Sequence, residues 1–394
     1  MLDTQQHKTP VILQTGFRIF FLGSAVYAVV SMFFWLIFYM SLGNIFVAMP
    51  LTVWHGHEMI YGFTMAVVAG FLLTAVTNWT GLPTLKGGGL LVLFLFWLVA
   101  RILAFMPAAF PLWPMALCDT AFAALLIAAV MRPIIAAKQW KQSAVFSKLI
   151  LVFISGIVFY LALYNADLVT ERKALRFAVY MIISLILTIS RRVLPFFIER
   201  GVGYTVVLRN SKLLDMASLV FLLAFSIIDV FLNWPVVAAV LCGLLFIVHA
   251  LRLLGWYTYG VWRKPLLWIL FAGYVFLILG FLLKAAAMFN HRLDDAALHA
   301  FTAGGIGIFT LGMMSRVSWG HTGRNIADAP GSLPLIFIPI ALGAVIRVLN
   351  PIFNESKFMW WIASSQVLWM IAFMLYLVFY FKILTSPRPD GKDG

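Results

Sequence analysis

Apolar runs of eighteen or more residues recur along this whole chain, and that constrains its fold before anything else does. A run of that length crosses a bilayer core as one α-helix, because lipid offers no partner to an open backbone N–H or C=O. Composition agrees, with 63% hydrophobic residues, 11% charged residues and a mean hydropathy of +1.01. A soluble domain needs far less apolar material. The pattern predicts spans at 17–41, 57–79, 89–106, 112–131, 146–164 and 174–198. A second six follow at 212–232, 235–255, 266–289, 297–318, 332–349 and 358–383. The expected fold is an all-α polytopic membrane protein of twelve transmembrane helices, a single integral membrane domain over 1–394. The first sixteen residues are polar and show no signal-peptide pattern. Cys118 and Cys242 stand alone in apolar segments, which excludes a disulfide framework, CxxC and CxxCH. Any haem would be held without covalent attachment.

Lysine and arginine set the orientation. With the N-terminus inside, the tails, the even-numbered loops and the nearby helix ends carry 20 basic residues, against 8 on the other side. The inner groups include Arg132, Lys138, Lys141 and Lys148, then Arg191, Arg192, Arg200, Arg209 and Lys212. The positive-inside bias places both termini in the cytoplasm. The net charge of +14 is thus a topology signal and gives little reason to expect a nucleic-acid partner.

Within this frame Trp54-His55-Gly56-His57-Glu58-Met59-Ile60-Tyr61-Gly62-Phe63 precedes the uncharged stretch Thr64–Thr80. Two histidines and a glutamate stand at the mouth of an apolar helix, where ionisable groups are costly and read as functional. Residues two apart on an α-helix point about 200° away from each other. Helical His55 and His57 would face two different centres; just before the helix they would converge. His299 opens the tenth span on the same outer side, with His291 in the loop before it. His249 lies well inside the eighth span, towards the cytoplasm, and His321 closes the tenth at the inner surface. His7, in the polar tail, reads as solvated.

A shift of 242 brings His57 onto His299, Gly62 onto Gly304, Gly70 onto Gly312, and Thr80-Gly81 onto Thr322-Gly323. The flanks follow: Phe21-Leu22-Gly23 is like Phe271-Ala272-Gly273, and Ala100-Arg101-Ile102-Leu103 is like Ile346-Arg347-Val348-Leu349. Spans one to four then repeat as spans nine to twelve. The blocks are 1–131, 146–255 and 266–383, and three arcs of four helices is the expected architecture.

His57 and His299, at equivalent places and similar depth, read either as axial ligands of a b-type haem or partners of copper, or as interfacial histidines bonded to loop carbonyls. The glycines further in would leave flat gaps for a macrocycle. Arg101 and Arg347 suit haem propionates or, alternatively, lipid headgroups. Glu58 would orient a neighbouring imidazole or carry a proton. Met59, Met65, Met313 and Met314 are soft donors or core packing. At the inner side, His249, Arg316, His321 and Arg324 form a second set suited to an anion or a cavity cap, with His321 a candidate partner for His249. Arg191-Arg192-Val193-Leu194-Pro195-Phe196-Phe197 closes the sixth span with two cations and a proline that would kink it.

These residues resemble the NnrS family. The likeness rests on Trp54-His55-Gly56-His57-Glu58-Met59, Ala69-Gly70-Phe71-Leu72-Leu73-Thr74-Ala75-Val76 and Asn78-Trp79-Thr80-Gly81. It rests equally on Arg192-Val193-Leu194-Pro195-Phe196-Phe197, Leu298-His299-Ala300, Arg316 and Gly320-His321-Thr322-Gly323-Arg324. The resemblance implies haem b, copper, a bacterial inner membrane and protection against nitrosative stress through nitric oxide. A wider, fold-level similarity links the chain to haem-copper oxidases and nitric oxide reductases, also twelve helices in three arcs. Those proteins carry an HxH on the tenth helix, whereas here it is on the second. The sixth span has no histidine, and Leu232-Asn233-Trp234-Pro235 lacks the expected pair, which argues against a standard reductase site. Three functions stay in view: a haem and copper protein that binds or responds to nitric oxide, a quinol- or cytochrome-linked reductase or oxidase of a nitrogen species, and a transporter of haem, metal or a small anion. The sharpest expectation is that His57 and His299 hold one haem while His55 serves a second centre.

Overall fold

A computed structural model describes residues 9–41, 49–107, 109–353 and 355–391, and among them the regular elements are all helical. Eleven helices are long and apolar enough to cross a membrane. In chain order, and numbering with them one shorter apolar helix (α3), they are α1 (Gly16–Ser41), α2 (Leu51–Thr80), α3 (Gly87–Leu103), α4 (Trp113–Ala136), α5 (Ser143–Tyr164) and α6 (Leu168–Gly201). Then come α7 (Lys212–Leu232), α8 (Pro235–Gly255), α9 (Pro265–Ala286), α10 (Arg292–His321), α11 (Pro334–Phe353) and α12 (Phe358–Thr385). His7 lies outside the described residues.

The ends follow local chemistry. Asp167 caps α6 by accepting from the amides of Val169 and Thr170 at 3.2 and 3.1 Å, so this helix starts at Leu168 rather than 174. Proline occupies the first turn of α4, α8 and α9, where its missing N–H costs nothing. Helix α6 continues through Pro195 to Gly201. Helix α3 has 17 residues, a rise of about 25 Å against the ~30 Å of a bilayer core. It stops at Leu103, short of the expected 106. Gly81 and Gly323, which follow α2 and α10, take left-handed φ of 71° and 79°, a conformation that favours glycine.

Helix α2 departs most from expectation. It begins at Leu51, after Pro50, because its first turn is packed: Trp54 is fully buried and its indole donates to the carbonyl of Ala104 at 2.9 Å. His55 and His57 therefore lie inside the helix, not at its mouth. Directly after His57 the backbone widens into a π-helical segment, Glu58–Thr64. The same happens after His299, over Ala300–Gly307. Such inserted turns re-aim the side chains around them and are frequent at functional sites.

Three helices form the interior. The apolar stretches of α2, α6 and α10 are 78%, 72% and 78% buried, more than those of the other eight long helices, and the three pack against one another pairwise. The outer helices turn apolar side chains away from the protein, among them Leu161, Val240, Ile247 and Val378. An apolar exterior over a core that also holds the buried ionisable groups is the arrangement of a lipid-embedded bundle.

Glycines let neighbouring helices close up. A Cβ on Gly70 would meet Phe21 at 2.8 Å, and one on Gly312 would meet Leu270 at 2.8 Å. Gly62 faces Tyr27 and Arg101, and Gly304 faces Phe276. The gaps expected to receive a macrocycle are thus filled by side chains of adjoining helices, mainly α1 and α9, and serve helix packing.

Candidate functional site

The two histidines of α2 face different neighbours, as spacing of about 200° requires. His57 is fully buried in a closed network. Its Nδ1 meets Glu58 Oε1 at 2.7 Å; since a carboxylate only accepts, Nδ1 carries the proton. Tyr27 donates to Glu58 Oε2, and the Arg101 guanidinium donates through Nη1 to Glu58 and through Nη2 to Asp119. Tyr160 completes the set by donating to Asp119 Oδ2 at 2.6 Å. His57 Nε2 stands 3.6 Å from Asp119 Oδ2, too far for a hydrogen bond, and is left without a partner. Rings of Phe159 and Tyr61 cover the imidazole at 4.8 and 4.9 Å.

This corrects one expectation. The fork of Arg101 does bind a pair of carboxylates, but they are Glu58 and Asp119, so it is not available to propionates. Asp119 was missed in the sequence, although an acid inside the apolar run of α4 was a usable signal. Glu58 accepts from the Nδ1–H of its neighbour His57.

His55 turns the other way. Its ring stacks on Trp35 of α1, with centroids 4.5 Å apart and planes 8° from parallel, and it lies within electrostatic reach of Arg347. Arg347 in turn donates through Nη2 to Nε2 of His299 at 2.9 Å, and His299 Nδ1 meets the carbonyl of Asp295 at 2.8 Å. His299 and His55 also sense each other electrostatically. The structure joins His299 to Arg347 with His55 nearby, while His57 lies in the carboxylate network. His55 and His299 are both half-buried, so their edges remain reachable.

Two further networks lie elsewhere. Near the His55 end, Lys284 bridges Asp229 and Asp294 at 2.8 and 2.6 Å, and Arg176 pairs with Asp294 at 2.9 Å. Two cations and two anions cancel there and tie α6, α7, α9 and α10 together. At the opposite end His249 is held by Tyr274 at 2.7 Å and Ser218 at 3.1 Å, and its ring stacks on Phe281. His321 is not its partner: it neighbours Phe17, with Arg388 donating to its carbonyl at 3.1 Å. Arg316 lies over the Phe197 ring at 3.7 Å, and Arg324 donates to Thr322 Oγ1 at 2.7 Å. The inner histidines thus serve separate contacts.

The donor chemistry can be tested against haem and copper. Among the described residues no group of three or more His, Cys, Asp or Glu converges as a metal site. A pair of imidazoles remains, which matches the axial set of a b-type haem or a low-coordinate cuprous ion. His299 has its Nδ1–H held by a backbone carbonyl, as in metal-ligating histidines, while its Nε2 lone pair accepts from Arg347, which would have to turn aside for a metal to bind. His57 carries its Nδ1–H on Glu58 and an Nε2 without a hydrogen-bond partner, but aromatic rings enclose it.

Eleven long apolar helices, buried ionisable networks between them and half-buried imidazoles at one end define a polytopic α-helical membrane protein with a candidate metal centre. The profile of the NnrS protein family matches residues 11–388, nearly the whole chain, and the chain belongs to that family. Comparison with curated proteins gives no match.

Proposed function

We propose that this NnrS-family protein is a haem- and copper-containing bacterial inner-membrane protein that binds nitric oxide and protects against nitrosative stress. The observation that carries the metal reading is the grouping of His55, His299 and Arg347, with the tautomer of His299 set by Asp295 and Arg347. His55 and His299 would hold the metal, and the cationic Arg347 would face an anionic group such as a propionate. Iron or copper supplies there a centre that binds nitric oxide and exchanges electrons. Copper is also served by Met59, which follows His55 by one turn. The chain's own part is to fix the imidazoles, with Trp35 beneath His55 and Asp295 behind His299.

Twelve spans in three arcs, with α1–α4 repeated as α9–α12, belong to the same reading. Support comes from the two π segments after His57 and His299, the left-handed Gly81 and Gly323, and the central placement of α2, α6 and α10. The excess of basic residues supports an orientation with the His55 end outside and both termini in the cytoplasm.

The test is haem and metal analysis of the purified protein, with its optical spectrum before and after nitric oxide. His55→Ala and His299→Ala are expected to deplete the centre, and His57→Ala to retain it. Unchanged metal content and spectrum in both of the first two variants would place the metal elsewhere.

A further inference from the structure

At the end opposite His55, α5, α6, α7 and α8 leave a cleft of about 40 Å³ that the metal reading does not use. That volume holds roughly three water-sized atoms. Ser184, Thr188 and Arg191 line it from one face of α6, as positions four and seven apart on a helix must. Asp215 and Ser218 enter from α7, and Arg252 from α8. Charge around this cleft does not balance. Arg252 is 3% exposed and donates to Asp215 Oδ1 at 2.9 Å and to the Leu214 carbonyl at 2.8 Å. Among the described residues Arg191 has only the other oxygen of the same carboxylate, at 3.4 Å. Lys148 of α5 is 6% exposed, donates to the Ala144 carbonyl at 2.8 Å, and pairs with no carboxylate among the described residues. It lies within electrostatic reach of Arg191. Three cations thus share one carboxylate. Basic residues that only anchor a helix end extend to the headgroups, whereas Lys148 and Arg252 are enclosed. Enclosed cations in excess need an anion.

Size and donor geometry select which anion. Room for roughly three atoms excludes tetrahedral oxyanions such as sulfate. A guanidinium presents parallel N–H donors, which match two oxygens on one atom better than they match a sphere. We propose that this cleft binds a small planar monoanion, the class of nitrite and formate, with Arg191 donating to both oxygens and Lys148 supplying further positive charge. Asp215 keeps its bond to Arg252 when Arg191 turns to the anion. No metal takes part, so the site stands apart from the metal reading.

The experiment titrates purified protein with sodium nitrite, formate, chloride and sulfate, at an ionic strength held constant with methanesulfonate, and follows microscale thermophoresis. Nitrite and formate are expected to saturate with a Kd of roughly 1 mM, near the limit for so few heavy atoms. Chloride should bind about fivefold more weakly for want of a second acceptor, and sulfate should not saturate. Arg191→Gln is expected to weaken nitrite and formate about tenfold. Arg191→Lys keeps the charge but loses the fork, and should erase their advantage over chloride. Arg191 is half-exposed, so both variants should elute as the wild type does. His299→Ala should bind formate unchanged, because the metal centre has no part in the site. Loss of binding in His299→Ala, saturation by sulfate, no saturation by nitrite or formate, or unchanged affinity in Arg191→Gln overturns the proposal.

Discussion

Arg347 and His299 are joined by a hydrogen bond of 2.9 Å whose direction decides the chemistry of the imidazole. Arginine has no acceptor, so Nε2 of His299 must offer its lone pair, and the ring proton sits on Nδ1 against Asp295. Arg101 is instead consumed by two carboxylates beside His57. One arginine occupies the lone pair of an imidazole and the other locks a buried charge network.

Replacing Arg347 with leucine is expected to remove the cation proposed to pair with an anionic group of the centre, without disturbing the bundle. Metal occupancy in the purified variant should fall several-fold, while Arg347→Lys should recover part of it, lacking only the planar fork. Full occupancy in Arg347→Leu, read by metal analysis, would remove the anion-pairing role.

Arg101→Leu should act on stability. It leaves Glu58 and Asp119 buried together with their counter-charge gone, a change of the kind that costs about 3–5 kcal/mol. Thermal unfolding in detergent should show a marked loss, and adding Glu58→Gln with Asp119→Asn should restore part of it. If the triple variant is no more stable than Arg101→Leu alone, the charge argument fails.

Glycine contacts give a packing test. Gly304→Ala pushes a methyl into Phe276 between α9 and α10, and Gly62→Ala pushes one towards Tyr27 and Arg101. Both should lower the unfolding temperature, by an amount equivalent to roughly 1–3 kcal/mol. Gly243→Ala, with open space around it, should be neutral or slightly stabilising because alanine is the better helix former. Equal behaviour of all three would refute the close-packing role.

Orientation is checked by cysteine labelling in whole cells. Phe289→Cys, at a position 87% exposed beyond α9, should react with an impermeant reagent from outside. Lys138→Cys should react only after the membrane is opened. The reverse pattern would invert the assigned topology.

The sequence by itself determined the helices and where most of them run. Spans α7 and α8 lie at 212–232 and 235–255 as the apolar pattern required, since lipid-exposed backbone must satisfy itself within each helix. For His55 and His57 it offered either facing apart on a helix or converging before one, and the helix start at Leu51 decided for the first. What it left open was which distant residues meet. The repeat aligned His57 with His299, yet alignment along the chain says nothing of which face of α2 turns towards α10. The packing of α2 decided that: Trp35 receives His55, while Glu58, Arg101 and Asp119 enclose His57. The start of α2 was also tertiary, since Trp54 finds its partner carbonyl at Ala104, fifty residues away. Asp119 and Tyr160 became part of a site only when α4 and α5 came together beside α2. A buried charge in a membrane bundle needs a partner, and only the folded structure determines which one it finds.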